Sequence, residues 1–557
     1  EFLDPSGGVH LEPLSPQDTV VSYFRGRPDQ WATAVPSYGG LVYRQLWPGI
    51  DLEFSGAGGY LKYAFHLQPN ADARQIRMAY RGAASVSLTS GGGLRVETGQ
   101  GSLADDKPVA WQETPAGRLP VRAGFQLAGD ELRFELGHYD RSLPLTIDPV
   151  VLIYAGYLGG AGSDWGWGVA VDSAGNAYVT GNTMSNQTTF PVTVGPDLTF
   201  NSTQTYWADA FVAKVNQSGT ALVYLSYIGG ANEDSGYGIA VDAAGNAYVT
   251  GYTNSDQLTF PILAGPDLTH NGARDAFIVK INPSGTALVY AGYLGGAQDD
   301  YGWSIAVDAS GNAFLTGFTL SSHSTFPVLV GPDLTFNGGS DAFVAKINPA
   351  GTALLYSGYL GGAGDDLGQG IALDTAGNVF VTGPTTSTQT TFPVLAGPDL
   401  THNGNHDAFV AKVNAAGSAL LYCGYIGGAG SDSGNGIAVH PNGDAFIAGN
   451  TASDQFTFPA TAGPDLTFNG KTDAFVAKVN LSGALVYAGY LGGTETDIAA
   501  AVAVDAAGNA YVTGYTSSTE ANFPVTIGPD LTYNGGEYDA FVAKVAAHGN
   551  PVVYAGY

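Results

Sequence analysis

Aspartate is the residue whose placement in this chain suggests chemistry first. Asp164, Asp234, Asp300, Asp366, Asp432 and Asp497 each close a glycine-rich loop. The first, Gly159-Gly160-Ala161-Gly162-Ser163-Asp164, has the G-G-x-G-x-D form of a calcium nonapeptide, as do residues 361–366 and 427–432. Calcium rolls stack such loops every nine residues, whereas here one loop serves each long repeat, and three of the copies lose the third glycine. Two readings follow: a calcium ligand, the one cofactor these loops suggest, or a carboxylate capping backbone N–H groups in a turn. A second aspartate opens an Asp-x-x-Gly-Asn turn at Asp172, Asp242, Asp308, Asp374 and Asp505, but the equivalent residue is His440. A required metal ligand does not tolerate that exchange, so this turn reads as an Asx turn.

Other reactive residue types lack the company catalysis needs. The chain has no H-E-x-x-H pair, no G-x-S-x-G elbow and no phosphate-binding loop. One lysine recurs per repeat, at Lys214, Lys280, Lys346, Lys412, Lys478 and Lys544. A catalytic group has no use for six copies, so these lysines are expected to lie along a sheet edge or to pair with a nearby aspartate. No catalytic residue is assigned and the chain is expected not to be an enzyme. His270 and His402 stand where other repeats carry Phe200, Phe336, Phe468 and Tyr533, and read as packing residues. Cys423 is the only cysteine, which excludes an intrachain disulfide, and it replaces the Ala or Ser of other copies as a small core residue.

Aromatic residues break the repetition at one place. The two variable positions that follow each loop aspartate are Trp165/Trp167, Ser235/Tyr237, Tyr301/Trp303, Leu367/Gln369, Ser433/Asn435 and Ile498/Ala500. Large rings fill the first three pairs and are absent from the last three. Trp165, Trp167, Tyr237, Tyr301 and Trp303 are therefore candidate contacts for a ligand or partner, because such rings offer an apolar face with a polar handle.

What positions these residues is a period of 66 residues. Asp-Ala-Phe begins at Asp209, Asp275, Asp341, Asp407, Asp473 and Asp539. Each repeat holds four short runs rich in Val, Ile, Ala, Phe and Tyr, separated by Gly, Asn, Pro and Ser. In the repeat around residue 310 these are run A (305–308), run B (313–318), run C (342–347) and run D (354–359). Runs A and B are apolar on both faces, which requires cover on both sides of the sheet. Four-stranded units, repeated and covered on both faces, are the blades of a propeller. No window has the 3.6-residue apolar period of a helix.

Residues 1–149 read as a separate domain, predicted to be a β-sandwich, with alternating runs such as 40–44, 50–54 and 61–67 and one helical turn at 71–75. The propeller is expected over 150–557 as six four-stranded blades. It contains seven D-type runs, however, counting 151–157. Run 151–157 is predicted to pair with 540–545 and close the ring, displacing 552–557 or freeing it for another chain. The alternative is a native chain that continues into a seventh blade. Because the chain begins at Glu1 without a basic and apolar leader, it is expected to be a processed form.

These segments resemble a known family. GYLGGAGSDWGWGVAVDSAGNAYVTGNT, with DAFVAKVN and the LVYxxYxGG run that follows, is similar to the SBBP β-propeller repeat of bacterial secreted and surface proteins. Leu41-Val42-Tyr43-Arg44, 48–52, 61–65 and 139–149 resemble the domain that usually precedes those repeats. The resemblance implies an extracellular or cell-surface propeller and supplies no catalytic residues.

Charge narrows the partners. Seventeen acids and 13 bases precede residue 150, and 32 acids and 8 bases follow it, for a net charge of −28. Phosphate backbones need clustered cations, so nucleic acid is excluded. No run of 18 apolar residues is present to cross a membrane as a helix. The expected role is structural or adhesive, displayed on the envelope or built into an extracellular assembly, with other copies of the chain or envelope components as partners. The rival is carbohydrate binding through the aromatic rim, and a glycan-active enzyme ranks third.

Overall fold

A computed structural model describes residues 2–23, 32–57, 60–88, 93–98, 101–105, 108–114, 117–129, 131–149, 156–204, 206–217, 219–525 and 532–557. The chain divides into two units, with the division near residue 153.

In the first unit, a seven-stranded antiparallel sheet runs in the order His10–Tyr23, Ala32–Trp47, Ile50–Ala57, Tyr60–Leu67, Leu145–Pro149, Pro108–Thr114, Gly117–Val121. Two three-stranded sheets accompany it. Its core joins Leu52, Phe65, Ala110 and Ile147 of the large sheet to Phe125, Leu132, Phe134, Leu94 and Val96 of the smaller ones. The predicted helical turn is a single 3-10 turn, Ala73–Gln75, whose backbone is capped by Asp72.

The second unit is built from six four-stranded antiparallel sheets, one per repeat. In sheet 3 the strands are A, Asp300–Val307; B, Ala313–Thr319; C, Asp341–Ile347; and D, Leu354–Leu360. Runs B, C and D fall where the residues predict them. Strand A is longer than its apolar run and starts at the loop aspartate. Between A and B, Gly311 turns the chain at φ 81°, a conformation other residues rarely adopt. Sheet 4 has the shortest A strand, Gly370–Leu373. Pro384 faces the missing part, and it has no N–H to complete the ladder.

Five apolar cores hold the sheets together, each drawn from two consecutive sheets. Between sheets 1 and 2, for instance, Tyr178, Ala210, Val212 and Tyr224 meet Ile239, Val249, Phe277 and Tyr293. Successive A strands pack on one another, which puts strand A innermost. The core residues alternate along each strand and serve both faces, which is why the runs read as continuously apolar.

The predicted pairing of 151–157 with 540–545 is not found among the described residues. The D strand of sheet 6 is Val552–Gly556, paired with Val542–Val545, so the terminal run is not displaced. Residues 151–155 lie outside the described residues, and Gly156 and Tyr157 are exposed outside any strand. Consecutive-sheet packing positions the terminal run simply by continuing the repeat. Among the described residues, no apolar core joins sheet 6 to sheet 1. Val169 and Val171 of sheet 1 are 70% and 61% exposed, whereas Ile239, Ile305, Ile371 and Ile437, the counterparts of Val169, are 6–9% exposed.

Candidate functional site

Five of the six inner strands, those of sheets 1, 2, 3, 5 and 6, carry a β-bulge at the same point. In sheet 1, Trp165 pairs with Asn182 and Gly166 with Gly181, but the next pair is Gly168 with Thr180. Trp167 is the extra residue. Tyr237, Trp303, Asn435 and Ala500 hold the same place in sheets 2, 3, 5 and 6. A bulge redirects a side chain and sharpens the local twist. It forms here because strand B carries a glycine opposite: a Cβ on Gly251 would lie 1.8 Å from the Ser235 carbonyl oxygen. In these five sheets the second member of the variable pair is thus a bulge residue, and the two-residue alternation of a regular strand does not apply across it.

The bulges bring rings from sheets 1 to 3 into one chain. Trp167 meets Tyr237 at 5.7 Å between ring centroids, and Tyr237 meets Tyr252 at 5.9 Å. Tyr252 lies 4.8 Å from Tyr301, which stacks on Phe318 at 4.6 Å with planes 13° apart. Trp303 closes the series edge-on to Phe318 at 5.0 Å. Four of the five aromatic candidates, Trp167, Tyr237, Tyr301 and Trp303, stand in this crescent. Trp165, 42% exposed, is not part of it. Trp167 is 57% exposed, and its indole N–H donates to Asn182 Oδ1 at 2.7 Å, which fixes one edge of the ring and leaves its apolar body to solvent.

Three members escape the sequence argument: Tyr252, Phe318 and Arg274. Tyr252 and Phe318 lie on strand B, opposite the variable residues, where Asn182, Pro384, Asn450 and Tyr515 stand in the other sheets. Arg274 precedes strand C of sheet 2, and its guanidinium lies 5.3 Å from the Tyr252 ring and 5.6 Å from the Tyr301 ring. The usable signals were the glycine inside every B strand, a mark of a bulge, and an arginine that is alone after residue 150. Burial lowers the Arg274 pKa, but Tyr301, Asp299, Tyr252 and Glu233 together more than offset it, and the guanidinium stays charged.

Sheets 4 and 5 present a polar surface at the same place, whereas sheet 6 carries Tyr515 and Tyr538, edge-on at 5.0 Å. Ser433 Oγ, with one proton to donate, lies 3.1 Å from Gln369 Oε1 and 2.9 Å from Asn435 Oδ1. Asn435 Nδ2 donates to Asn450 Oδ1 at 3.0 Å and to the Ala499 carbonyl at 2.8 Å. These polar groups satisfy one another.

The six loop aspartates all act as acceptors. Asp234 Oδ2 receives the Gly230 N–H at 2.7 Å and the Ser255 hydroxyl at 2.9 Å, while Thr253 donates to Oδ1. Asp164, Asp300, Asp366, Asp432 and Asp497 take the same glycine N–H and serine hydroxyl. Calcium requires six to eight oxygen ligands, whereas these carboxylates face hydrogen-bond donors. Among the described residues, no three His, Cys, Asp or Glu side chains converge on a metal position. The residues fit the capping reading and do not fit calcium.

At the opposite end of each sheet the repeated lysine meets the turn aspartate, at 3.5 Å for Lys214–Asp172 and 3.1 Å for Lys412–Asp374. Where His440 replaces the first aspartate of the turn, Asp444 supplies the carboxylate, 3.1 Å from Lys478. His270 and His402 pack edge-on against Tyr293 and Tyr425, and Cys423 is buried in a core.

Comparison with known proteins agrees with this architecture. Residues 1–150 match a domain of unknown function, DUF7948, and residues 153–186, 223–258, 355–388 and 486–524 match the SBBP beta-propeller repeat. The chain is an SBBP beta-propeller-repeat protein with a DUF7948 domain before the repeats. It is 26% identical over 250 residues to the uncharacterized WD repeat-containing protein L264 of Acanthamoeba polyphaga mimivirus, spanning 38% of this chain and 17% of that protein. It is 28% identical over 147 residues to the regulatory protein FlaEY of Caulobacter vibrioides, spanning 26% of this chain and 15% of that protein. The chain thus spans under a fifth of either relative. Among solved structures, BamB from Moraxella catarrhalis aligns over 78% of this chain and 95% of its own, at 10% identity and a TM-score of 0.26. The gluconolactonase XC5397 from Xanthomonas campestris aligns over 78% and 96%, at 12% identity and a TM-score of 0.31.

Proposed function

We propose that this SBBP-repeat protein is a non-catalytic adhesive protein displayed outside the cell, and that it binds a glycan at the aromatic crescent. One observation carries the reading: the unbroken series of rings from Trp167 to Trp303, in the half of the repeat array where the repetition breaks. Aromatic faces stack on the C–H faces of sugar rings, and an open aromatic surface without a partner invites aggregation. The repeated Asp and Lys support binding over catalysis, since hydrogen-bonded caps and ion pairs account for all six copies. The test is retention of the purified chain on a polysaccharide panel, with a parallel assay for release of products. Retention without turnover is expected. Turnover abolished by a single point mutation would overturn the non-catalytic reading, and retention by no polymer would overturn the crescent.

A structural role has its own observation, the exposed strand A of sheet 1 and the exposed residues of sheet 6. Val169 and Val171 are exposed, whereas Ile239, Ile305, Ile371 and Ile437 are buried and the counterparts of Val171 are half-buried. On sheet 6, Ala503, Ala540 and Tyr515 are exposed, where Ala474 of sheet 5, the counterpart of Ala540, is buried. A second copy docking its sheet 1 on this sheet 6 would repeat a junction the chain already makes five times, giving a head-to-tail assembly. Light scattering of the wild type against Val169→Asp tests it: a mass that rises with concentration in the wild type alone is expected, and a concentration-independent monomer in both removes this role.

A further inference from the structure

We infer that Arg274, held between Glu233 and Asp299, is the polar half of the crescent and makes it selective for neutral, hydroxyl-rich sugars. This rests on the reading that the crescent binds a glycan. The position before strand C is Ala208, Ser340, His406, Thr472 and Tyr538 in the other repeats, so the arginine is a second break in the repetition. It coincides in space with the first, since Arg274 lies against both Tyr252 and Tyr301 at the middle of the ring series.

The ion pairs around Arg274 are loose. Its Nη2 lies 3.8 Å from Glu233 Oε2 and its Nη1 3.6 Å from Asp299 Oδ2, beyond the roughly 2.7–2.9 Å of a charge-assisted hydrogen bond. Arg274 Nε is buried without a hydrogen-bond partner, and so are Asp299 Oδ1 and Asn254 Oδ1. Buried polar groups in a folded protein are nearly always paired, and those that are not need a cause. Elsewhere in the same fold the corresponding groups do pair: Ser340 Oγ donates to Asp365 Oδ1 at 3.1 Å. Donors and acceptors are thus left over beside a line of aromatic faces. A sugar ring presents the complement: apolar C–H faces for the rings, and hydroxyls that both donate to carboxylates and accept from a guanidinium.

Charge decides which sugar. Arg274 is one cation between two carboxylates, in a stretch of chain after residue 149 that holds 32 acids and 8 bases. A uronate or sulfate would meet a net negative site with its only cation already engaged, whereas a neutral sugar loses no charge–charge energy on entry.

The experiment uses the whole 557-residue chain and immobilised polymers: cellulose, chitin, mannan and galactan as neutral probes, polygalacturonate and a sulfated galactan as anionic ones. Binding confined to the neutral set is expected. Arg274→Met should weaken it about tenfold, the scale of one lost charge-assisted hydrogen bond. Because that variant leaves two carboxylates unpaired and risks misfolding, Glu233→Gln with Asp299→Asn is the second arm. It keeps the arginine and should gain binding to polygalacturonate, a result misfolding does not produce. Anionic polymers binding the wild type as well as neutral ones would overturn the inference. So would neutral binding that needs Trp167 and Trp303 but changes less than about twofold in both charge variants, below what one hydrogen bond supplies, and in that case the crescent itself stands. Retention of no polymer overturns the crescent and this inference together.

Discussion

Sheets 1 to 3 and sheets 4 to 6 share a backbone and differ at one mouth. Both halves place a loop aspartate, an inner strand and a strand-B glycine at the same repeat positions, and the bulge recurs in sheets 5 and 6. In sheets 4 and 5 the residues around it are Gln369, Ser433, Asn435 and Asn450, bonded to one another, and in sheet 6 a single ring pair, Tyr515 with Tyr538, stands apart from the crescent. In the first half they are a series of rings, with Trp167 exposed, Tyr237, Tyr301, Trp303 and Phe318 half-buried and Tyr252 buried, beside an arginine whose Nε has no hydrogen-bond partner. The difference teaches that the repeat supplies a stable frame, with function placed on it by changing side chains at a bulge the frame already makes. A polar network that satisfies itself has nothing left to offer a ligand, whereas the crescent does.

The largest effect should be one that both halves share, which makes it a control on the comparison. Burial pushes Asp234 up to about 8, with the charge of Asp209 adding to it, and pushes Asp275, Asp300, Asp341, Asp407 and Asp473 up to about 7. A carboxyl raised in the folded state contributes stability that is complete below its unfolded pKa of about 4 and lost as pH rises through the folded value. Asp172 has the opposite sign: burial raises it, but Asn176, Tyr178 and Lys214 outweigh that and hold it at about 2, so its contribution is lost as pH falls from about 4 toward 2. Thermal melts should peak in mildly acid buffer and fall steadily from about pH 5 to pH 8. A melting temperature that rises over that interval would contradict the assignment.

Next in size is a pair of substitutions at matching positions. Tyr252 is buried between Tyr237 and Tyr301, and Tyr252→Ala should cost about 3 kcal/mol and abolish binding. Asn450→Ala, at the same place in sheet 5, should cost about 1 kcal/mol, the worth of its hydrogen bond, and leave binding intact. Denaturant midpoints measure the first quantity and polymer retention the second. Equal binding losses would erase the distinction between the halves. Gln369→Ala should be smaller still, within about 1 kcal/mol in stability and without effect on binding. The smallest expected effect is that of calcium: because the loop aspartates already accept N–H and O–H donors, melts in excess EDTA and in millimolar calcium should coincide. A calcium-dependent rise would show that these loops open to take the ion.

Much of this was legible in the residues. The 66-residue period, the four runs and their turns specify the sheets, because local propensity, punctuation and burial agree at every copy. Asp164 and its equivalents, the lysine–aspartate pairs, His270 and His402 could be placed because six copies show what each position tolerates. The crescent was legible only in part. Trp167, Tyr237, Tyr301 and Trp303 stood out as variable and aromatic, but Tyr252, Phe318 and Arg274 join them across strands, and spacing along one strand does not report that. The bulge also defeats period-two reasoning at the positions where the rings sit. The place of run 151–157 was not legible either, since the repeat specifies only the junctions between consecutive sheets.

The most direct test of the crescent is calorimetric titration of the wild type and of Trp167→Ala with Trp303→Ala against the neutral polymer best retained, with a melt of each protein alongside. The double variant should melt within a few degrees of the wild type and bind more weakly by roughly 2 kcal/mol, about thirtyfold, the scale of an interface hot spot. Unchanged affinity, or unfolding of the variant in place of a binding loss, would contradict it and return these rings to the core.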